Sequence, residues 1–468
     1  MTPQRIVVVG GGQAGGWAVK TLRDSGYAGV LTLVTNEVHP PYERPPLSKA
    51  LLAGKVAPES TYLFKDELFT GLALDWRRGR RAVALDPQRR ALQLDDGVWL
   101  DFDRLLLATG GSARQLPTVG VPVHTLRSLD DALALHARLR AGDRLLVIGG
   151  GWVGLEVAST ARAAGLAVHV VESAARLCQR VLPPELGHTL LRLHERHDVT
   201  FSLGTSLTRL AAGADGCVHA ELASGEHFEV DHVVAGTGMI VNDALARRAG
   251  LACANGILVD ARCATSDAAI FAAGDVAVTR TRWLADPVRL ESWQNAQDQG
   301  IAAAKAMLGL DVHYDPVPRF WSDQHGMNLQ IFGLPQPGDA IVWRGDPERG
   351  PAMAFALHGE MLRAVVAFNA GRDLRQARML VECHARIDPI KLADAAVGSA
   401  GAALVLVAVE ALAASASAGL AVDGAGGAHL VCACPAAAIA ERLTGRPAGA
   451  AVPAARRGGL SRRRPGYR

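Results

Sequence analysis

The sequence has no two cysteines at the C-x-x-C spacing that a redox disulphide or a metal-binding knuckle uses. Its cysteines are scattered along the chain and are Cys178, Cys217, Cys253, Cys263, Cys383, Cys432 and Cys434. We therefore expect structural thiols in a reducing compartment, and no metal site.

Aromatic residues are also few, at 5%, whereas 50 of the 468 residues are glycine. This favours an α/β fold, because short turns and close backbone packing on nucleotides consume glycine. Ahead of the strand-like run 5–9 there is no room for a charged segment and an apolar leader, which favours the cytoplasm. Six arginines in the last thirteen residues account for the net charge of +3, which becomes −3 without them. Global charge therefore gives no indication of a nucleic-acid partner.

The chain contains two βαβ patterns. The first has strand 6–9, a glycine cluster, helix 14–25 and strand 30–35; the second has strand 144–148, glycines, helix 153–164 and strand 167–171. Apolar runs that alternate with helical stretches in this order predict two Rossmann-like dinucleotide-binding domains. Alternating strand-like pieces then predict a C-terminal α+β domain, at 327–332, 340–344, 352–357 and 362–368.

We expect the following division of the chain: an FAD-binding domain of residues 1–113 and 240–318, an NADH-binding domain of residues 114–239, a C-terminal reductase domain of residues 319–400, and a disordered low-complexity tail of residues 401–468. Docking of a terminal helix on the body is the alternative for the tail. Within it, the run 402–422 is apolar, but Glu410, serines and glycines argue against membrane insertion.

The first glycine cluster, Gly10-x-Gly12-x-x-Gly15, fits the dinucleotide fingerprint. It follows a strand and opens a helix, and the next strand ends near Asn36, whose amide can hydrogen-bond a ribose in place of the usual acid. Glu37 is adjacent. A glycine turn in an α/β domain without a nucleotide is the alternative.

The second cluster, Gly149-x-Gly151-x-x-Gly154, is followed by a strand that ends in Glu172. A carboxylate there accepts from both hydroxyls of an adenine ribose and repels a 2′-phosphate, so NADH is favoured over NADPH. A merely solvated Glu172 is the alternative. Two buried strands also run into glycine turns, at Thr109-Gly110 and at Gly238.

Two fingerprints predict two dinucleotides, and hydride transfer from NADH to a resident FAD is the economical chemistry. Disulphide reductases of this architecture have a cysteine pair on the helix after the first ribose strand. The corresponding segment, 41–49, contains no cysteine. The electrons therefore leave by a route other than an internal disulphide.

At this segment the sequence resembles the ferredoxin reductases of bacterial aromatic-ring dioxygenase and haem monooxygenase systems, which are close in build to rubredoxin reductases and apoptosis-inducing factor. The resemblance covers about residues 4 to 390. The strings that carry it are Arg44-Pro-Pro-Leu-Ser-Lys49, Gly274-Asp275, Glu291-Ser-Trp-Gln-Asn-Ala296 and Phe320-Trp-Ser-Asp-Gln324.

The resemblance implies roles in cofactor binding for single residues, and none for a catalytic residue or a metal ligand. It places Ala14 and its glycines at the FAD pyrophosphate, Asn36 near the adenosine ribose, Val83 at the adenine, Arg127 near the pyrophosphate, Asp275 on the ribityl chain, Lys49 beside the isoalloxazine and Trp293 by the flavin ring. Arg44 and Gly274 of the signature strings are further expected cofactor-binding residues. It directs Glu156 toward the nicotinamide and the Lys49 ammonium. Asn36 departs from the family's acid, and smaller residues also occur in place of Trp293.

The function so implied is transfer of hydride from NADH to FAD, and then of single electrons to a 2Fe–2S ferredoxin that docks transiently and feeds an oxygenase. An NADH oxidase-like flavoprotein that uses oxygen or a quinone is an alternative, and a nucleotide-sensing flavoprotein is another. Monomer and homodimer both stay open. We expect His194 and His197 to be solvated, and His325 either to approach the flavin edge or to pack.

Overall fold

The computed structural model describes residues 3–117, 120–213 and 216–394. The first segment contains β1 (Arg5–Val9), α1 (Gln13–Asp24), β2 (Val30–Thr35), α2 (Asp66–Gly71), β3 (Asp75–Arg78), β4 (Ala82–Asp86), β5 (Ala91–Leu94), β6 (Trp99–Asp101), β7 (Arg104–Leu107) and β8 (Gly111–Ala113). Short 3₁₀ helices lie at Pro45–Ser48 and Pro58–Thr61.

The next segment forms the second nucleotide-binding unit. It contains β9 (His124–Thr125), α3 (Leu129–His136), β10 (Arg144–Ile148), α4 (Trp152–Ala163), β11 (Ala167–Glu172), α5 (Pro184–Glu195), β12 (Val199–Leu203), β13 (Leu207–Ala212), β14 (Val218–Leu222), β15 (His227–Val230), β16 (His232–Ala235) and β17 (Met239–Val241). Five of these strands form a parallel sheet in the order β12-β11-β10-β16-β9.

The chain then returns to the first unit with α6 (Ala244–Arg248), β18 (Cys253–Ala254), β19 (Gly256–Val259), β20 (Ile270–Ala272), β21 (Ala277–Thr279) and α7 (Trp293–Met307). Strand β20 completes a parallel sheet in the order β20-β7-β1-β2-β3. Helix α7 packs on α1 so closely that a Cβ at Gly300 would lie 2.3 Å from the carbonyl oxygen of Ala14. Two separate stretches of chain therefore share one core.

The last described part is an α+β unit of β22 (Arg319–Gln324), β23 (Met327–Gly333), β24 (Ala340–Arg344), β25 (Ala352–His358), β26 (Met361–Phe368), α8 (Gly371–Glu382) and α9 (Pro389–Ala393). Its antiparallel sheet has the order β22-β23-β26-β25-β24. Strand β22 lies against α4 and α7, so this unit covers the join between the other two.

The strands and helices of the two predicted βαβ units form where the apolar runs place them, and every bound agrees with the prediction to within one residue. Among the described residues, no helix is long and apolar enough to cross a membrane. The predicted tail, 401–468, lies outside the described residues, and the proposed domain limits stay predictions.

Candidate cofactor-binding site

The three glycines of the first corner differ in the space available for a side chain. Gly10 has φ +115°, and a Cβ there would lie 2.1 Å from the carbonyl oxygen of Ala108; a Cβ at Gly15 would lie 1.9 Å from that of Gly10. At Gly12 the nearest atom would be 4.0 Å away, on Arg44. Gly10 and Gly15 therefore permit the turn and the packing, whereas Gly12 faces open space.

The second corner repeats the arrangement. Gly149 has φ +112° and a Cβ there would lie 2.5 Å from the carbonyl oxygen of Gly236; a Cβ at Gly154 would lie 2.1 Å from that of Gly149, and one at Gly151 would meet nothing within 4 Å. Helices α1 and α4 begin after Gly12 and Gly151 without a capping side chain. Their first N–H groups and positive dipole ends are suited to an anion such as a pyrophosphate.

Two arginines lie beside the first corner. Arg44 donates to the carbonyl oxygen of Arg127 and pairs with Glu37 at 3.1 Å; Arg127 pairs with Asp275 at 2.9 Å. Burial and the charge of Arg44 lower the pKa of Arg127. An anionic group between the two guanidinium groups would relieve this repulsion, so the pair fits a pyrophosphate.

Asn36 is exposed just after β2, whereas the side chain of its neighbour Glu37 is held by two hydrogen bonds. The hydroxyl of Tyr42 donates to Glu37 at 2.5 Å and the Arg44 guanidinium lies on its other oxygen. The carboxylate at this corner is thus Glu37, which the sequence indicates only by adjacency. Val83 is exposed on β4 and its carbonyl oxygen accepts from Arg248.

The predicted turn residues lie around the same corner. Gly110 has φ +56°, and a Cβ there would lie 3.4 Å from the Arg127 guanidinium; Gly274 has φ +80° and approaches Ala14. Thr109 donates to the carbonyl oxygen of Asn242 at 2.8 Å. Gly238, with φ +97°, has open space beside it. The structure thus brings the glycine-turn residues of strand β7 and the Gly274 turn to the edge where α1 begins.

Lys49 and Glu156 meet as an ion pair with 2.7 Å between Nζ and Oε2. Glu156 is 6% exposed, on the second turn of α4. Its carboxylate also accepts from the hydroxyls of Ser48 and Ser322, each at 2.5 Å. Three donors from two other units therefore satisfy a buried charge, as burial of a carboxylate requires.

Trp293 stands at the start of α7, with its ring 5.3 Å from that of Trp321 and nearly perpendicular to it. Its indole nitrogen is buried and makes no well-formed hydrogen bond among the described residues. Burial raises the pKa of Glu43, and the Trp293 N–H, which lies close to this carboxyl, partly offsets the rise. Such a donor fits a bound polar ring, since buried indole N–H groups usually find an acceptor.

Glu172 ends β11 as predicted, and its two oxygens accept from the backbone N–H groups of Gly150 at 2.6 Å and Ala174 at 2.7 Å. Each carboxylate oxygen has two lone pairs, so Oε2 can still accept from a ribose hydroxyl. Arg176, four residues on, has a buried Nη1 without a partner among the described residues. Both corners therefore fit a dinucleotide.

The thiols offer no redox chemistry at either corner. Burial raises the pKa of Cys178, which lies behind Gly150, and that of Cys263, which lies behind α7. A thiol held protonated is a poor nucleophile. In the described part of the chain, no three His, Cys, Asp or Glu residues could hold a metal ion.

The expectation that His194 is solvated is wrong. The β22–β23 hairpin packs on α5, so His194 is fully buried and contacts Gln324 at 2.8 Å and His325 at 3.0 Å. His325 packs on His197, and its backbone N–H donates to the hydroxyl oxygen of Ser159 at 2.7 Å. In the sequence, Ser322 and Gln324 are recognised only as members of the string Phe320-Trp-Ser-Asp-Gln324. No local pattern indicates their contacts, because these join three different units.

The model of the pyridine nucleotide-disulphide oxidoreductases matches residues 4–300, and that of a reductase C-terminal domain matches residues 319–399. The chain belongs to the pyridine nucleotide-disulphide oxidoreductase family. Among its relatives is the ferredoxin–NAD(+) reductase component of the anthranilate 1,2-dioxygenase system of Burkholderia cepacia, 40% identical over 402 residues, which are 85% of this chain and 99% of the relative.

A second relative is the ferredoxin–NAD(+) reductase component of the 3-phenylpropionate/cinnamic acid dioxygenase of Photorhabdus laumondii, 37% identical over 83% of this chain and 98% of its own. The solved covalent complex of putidaredoxin reductase with putidaredoxin matches with a TM-score of 0.80 and 33% identity, covering 88% of this chain and 99% of that one. The predicted resemblance, fold class, enzyme class and cofactors FAD and NADH are confirmed.

Proposed function

We propose that this chain is an NADH-dependent ferredoxin reductase that passes electrons from FAD singly to a 2Fe–2S ferredoxin serving an oxygenase. The observation that carries the proposal is the pair of uncapped helix N-termini behind glycine corners, Gly12 and Gly151, in one chain. The named relatives are ferredoxin–NAD(+) reductase components, and the solved homologue is bound to its iron–sulfur protein partner, putidaredoxin.

We assign FAD to the corner of α1 and NADH to the corner of α4, with the domain limits given above. Residues Gly12, Arg44 and Arg127 would hold the FAD pyrophosphate, and Lys49, Asp275 and Trp293 its flavin half. Glu172 would accept from the NADH ribose. When bound, FAD accepts hydride from NADH and can release the two electrons one at a time.

The side chains of this protein contribute by orienting the nicotinamide and by balancing the charges around it. The Lys49 ammonium stays next to Glu156, so the buried pair presents no net charge to its surroundings. We assign Glu156 the role of orienting the nicotinamide. Trp293 of α7 and Trp321 of β22 pack against each other, with ring centroids 5.3 Å apart and the rings nearly perpendicular.

An oxidase that uses a reactive cysteine finds no support, because the segment 41–49 has none and the pKa values of Cys178 and Cys263 are raised. A flavoprotein that merely senses nucleotides would reduce its flavin slowly. We propose that the ferredoxin docks near the FAD-binding unit and the C-terminal unit, and that electrons leave the flavin there.

The test is NADH-driven reduction of a 2Fe–2S ferredoxin by the purified holoprotein, with oxygen consumption and NADPH as comparators. We expect ferredoxin reduction far above oxygen consumption, and NADH far above NADPH. Oxygen as the faster acceptor would overturn the proposed acceptor. Protein that is colourless and takes up no FAD on reconstitution would overturn the whole proposal.

A further inference from the structure

A chain of hydrogen bonds leads from Glu156 through the C-terminal unit to helix α5. Ser322 donates to Glu156 Oε1 at 2.5 Å, and Gln324 Nε2 donates to Ser322 Oγ at 2.9 Å. Gln324 Oε1 lies 2.8 Å from His194 Nε2. Ser322, Gln324 and His194 are each at most 2% exposed, so water does not compete for these contacts.

The direction of this chain is fixed by what each group can do. A carboxylate only accepts, so the single hydroxyl hydrogen of Ser322 is given to Glu156. The Gln324 amide must therefore turn its NH₂ to Ser322 and its oxygen to His194. His194 must then donate from Nε2, and its Nδ1 accepts from His325 Nε2 at 3.0 Å. In each of these hydrogen bonds, the acceptor is therefore the group nearer to Glu156.

We propose that His194 is a positioning residue that acts through Gln324 and Ser322 to hold Glu156 in the orientation that serves the nicotinamide. This rests on the proposed function of Glu156. Without the His194 donor, the Gln324 amide is free to turn over and present its oxygen to Ser322. The Ser322 hydroxyl then has two acceptors for one hydrogen, and Glu156 Oε1 loses its share of that donor.

The surroundings of His194 fit this role. Burial lowers its pKa to about 4, so the ring is neutral at pH 7 and Nδ1 can accept. The ring of Phe201 lies 6.0 Å away, edge to face, and fixes the plane of the imidazole. His197, one turn further on, stacks on His325 but takes no part in the chain, because its Nδ1 contacts the carbonyl oxygen of Leu193.

The experiment measures the dissociation constant of NAD⁺ for the oxidised holoprotein by calorimetry, which is independent of turnover. We expect His194→Phe to weaken NAD⁺ binding about 3- to 10-fold, less than the loss of a full hydrogen bond to a charged group. His194→Gln restores a donor and an acceptor and should bind within about twofold of the parent. His197→Phe is the matched control and should bind as the parent does.

A double-mutant cycle with Glu156→Gln tests whether His194 acts through Glu156. In the Glu156→Gln background, His194→Phe should add nothing further. If it weakens NAD⁺ binding there by the same factor, or leaves binding unchanged in the parent, the proposal is overturned.

A second measurement separates positioning from general damage to the fold. Chemically reduced His194→Phe protein should pass electrons to ferricyanide at the parent rate. A matched loss of NAD⁺ affinity and of this rate, with no rescue by His194→Gln, would assign His194 a structural role and overturn the proposal. A parent protein that binds no NAD⁺ would instead contradict the proposed function itself.

Discussion

Gly12 and Gly15 belong to one fingerprint, but the structure constrains them differently, and alanine should separate the two constraints. In Gly15→Ala the Cβ would lie 1.9 Å from the carbonyl oxygen of Gly10, so the corner must shift. We expect loss of FAD and a lower melting temperature, since such overpacking costs about 1–3 kcal/mol. Gly12→Ala meets nothing closer than 4.0 Å, so it should fold normally and lose FAD alone.

The FAD-to-protein ratio from absorbance and the melting temperature of the apoprotein check this pair. Gly71→Ala is the control, because Gly71 ends α2 and a Cβ there meets nothing within 4 Å. A Gly12→Ala protein that retained its full complement of FAD would show that the open space in front of α1 is not the pyrophosphate seat.

Glu172 should decide the choice of nicotinamide dinucleotide. In Glu172→Gln the amide oxygen can replace only one of the two acceptors that contact Gly150 and Ala174, and the negative charge is gone. We expect kcat/KM for NADH to fall about tenfold. A hydrogen bond to a charged group contributes about 1.5–3 kcal/mol, and a tenfold fall corresponds to the low end of that range. The value for NADPH should not fall, because the repulsion of the 2′-phosphate is removed.

Steady-state kinetics with both dinucleotides measure this preference. Ser173→Ala removes only the 3.2 Å contact of the Ser173 hydroxyl to Glu172 and should leave the ratio unchanged. An unaltered ratio in Glu172→Gln would place the discrimination elsewhere.

At the scale of elements, strand β22 connects the C-terminal unit to both nucleotide-binding units. Phe320 packs on Trp152 of α4 with ring centroids 4.7 Å apart, Trp321 meets Trp293 of α7, and Ser322 donates to Glu156. The glycine corners could be predicted from sequence because their spacing is local. The contacts of β22 could not, because those with α4 join residues more than 160 positions apart and no sequence periodicity indicates any of the three.

The contact between helix α5 and the β22–β23 hairpin should make stability depend on pH. His194 of α5 has a pKa lowered to about 4 by burial, and His325 of the hairpin has a pKa lowered to about 3 by burial and by the charges of His194, His197 and Arg162. Arg162 in turn pairs with the carboxylate of Asp198 at 2.9 Å. The unfolded chain takes up these protons near pH 6.5, so it binds more protons than the folded state between pH 6.5 and about 4.

The contribution of these two histidines to the free energy of unfolding should therefore fall as pH falls through that window and be constant above it. For His194 the loss is about 3 kcal/mol, from a shift of roughly 2.5 units at 1.36 kcal/mol each. Denaturant titrations at pH values from 7.5 to 4 measure this free energy, which is taken from the first unfolding transition. His194→Gln should show a flatter profile, whereas an equal slope in both proteins would assign the acid sensitivity to other groups.

For the whole molecule, the sequence predicted the order of the pieces and the class of cofactor, but not how the third unit closes the site. Two parallel sheets follow from buried β-branched runs and glycine turns, which are local features. The predictions that failed or stayed vague concern His194, Glu37 and Gln324, whose environments depend on packing between units. Burial of polar side chains at such joins has no signature in one-dimensional spacing.

Residues 401–468 lie beyond both family matches. The C-terminal match ends at residue 399, and the described unit is already closed by α9, where Leu392 is fully buried and its carbonyl oxygen accepts from Arg344. A protein ending at residue 400 should therefore keep its FAD content, its melting temperature and its rate of flavin reduction by NADH.

Removing the segment changes the net charge from +3 to −2, so reduction of a charged ferredoxin should differ from that of the full chain only at low salt. Stopped-flow traces of both proteins at about 0.05 and 1 M salt compare them, since a Debye length of about 3 Å at 1 M screens such charges. A difference that persisted at high salt, or a loss of FAD on truncation, would mean that the segment contributes contacts rather than charge.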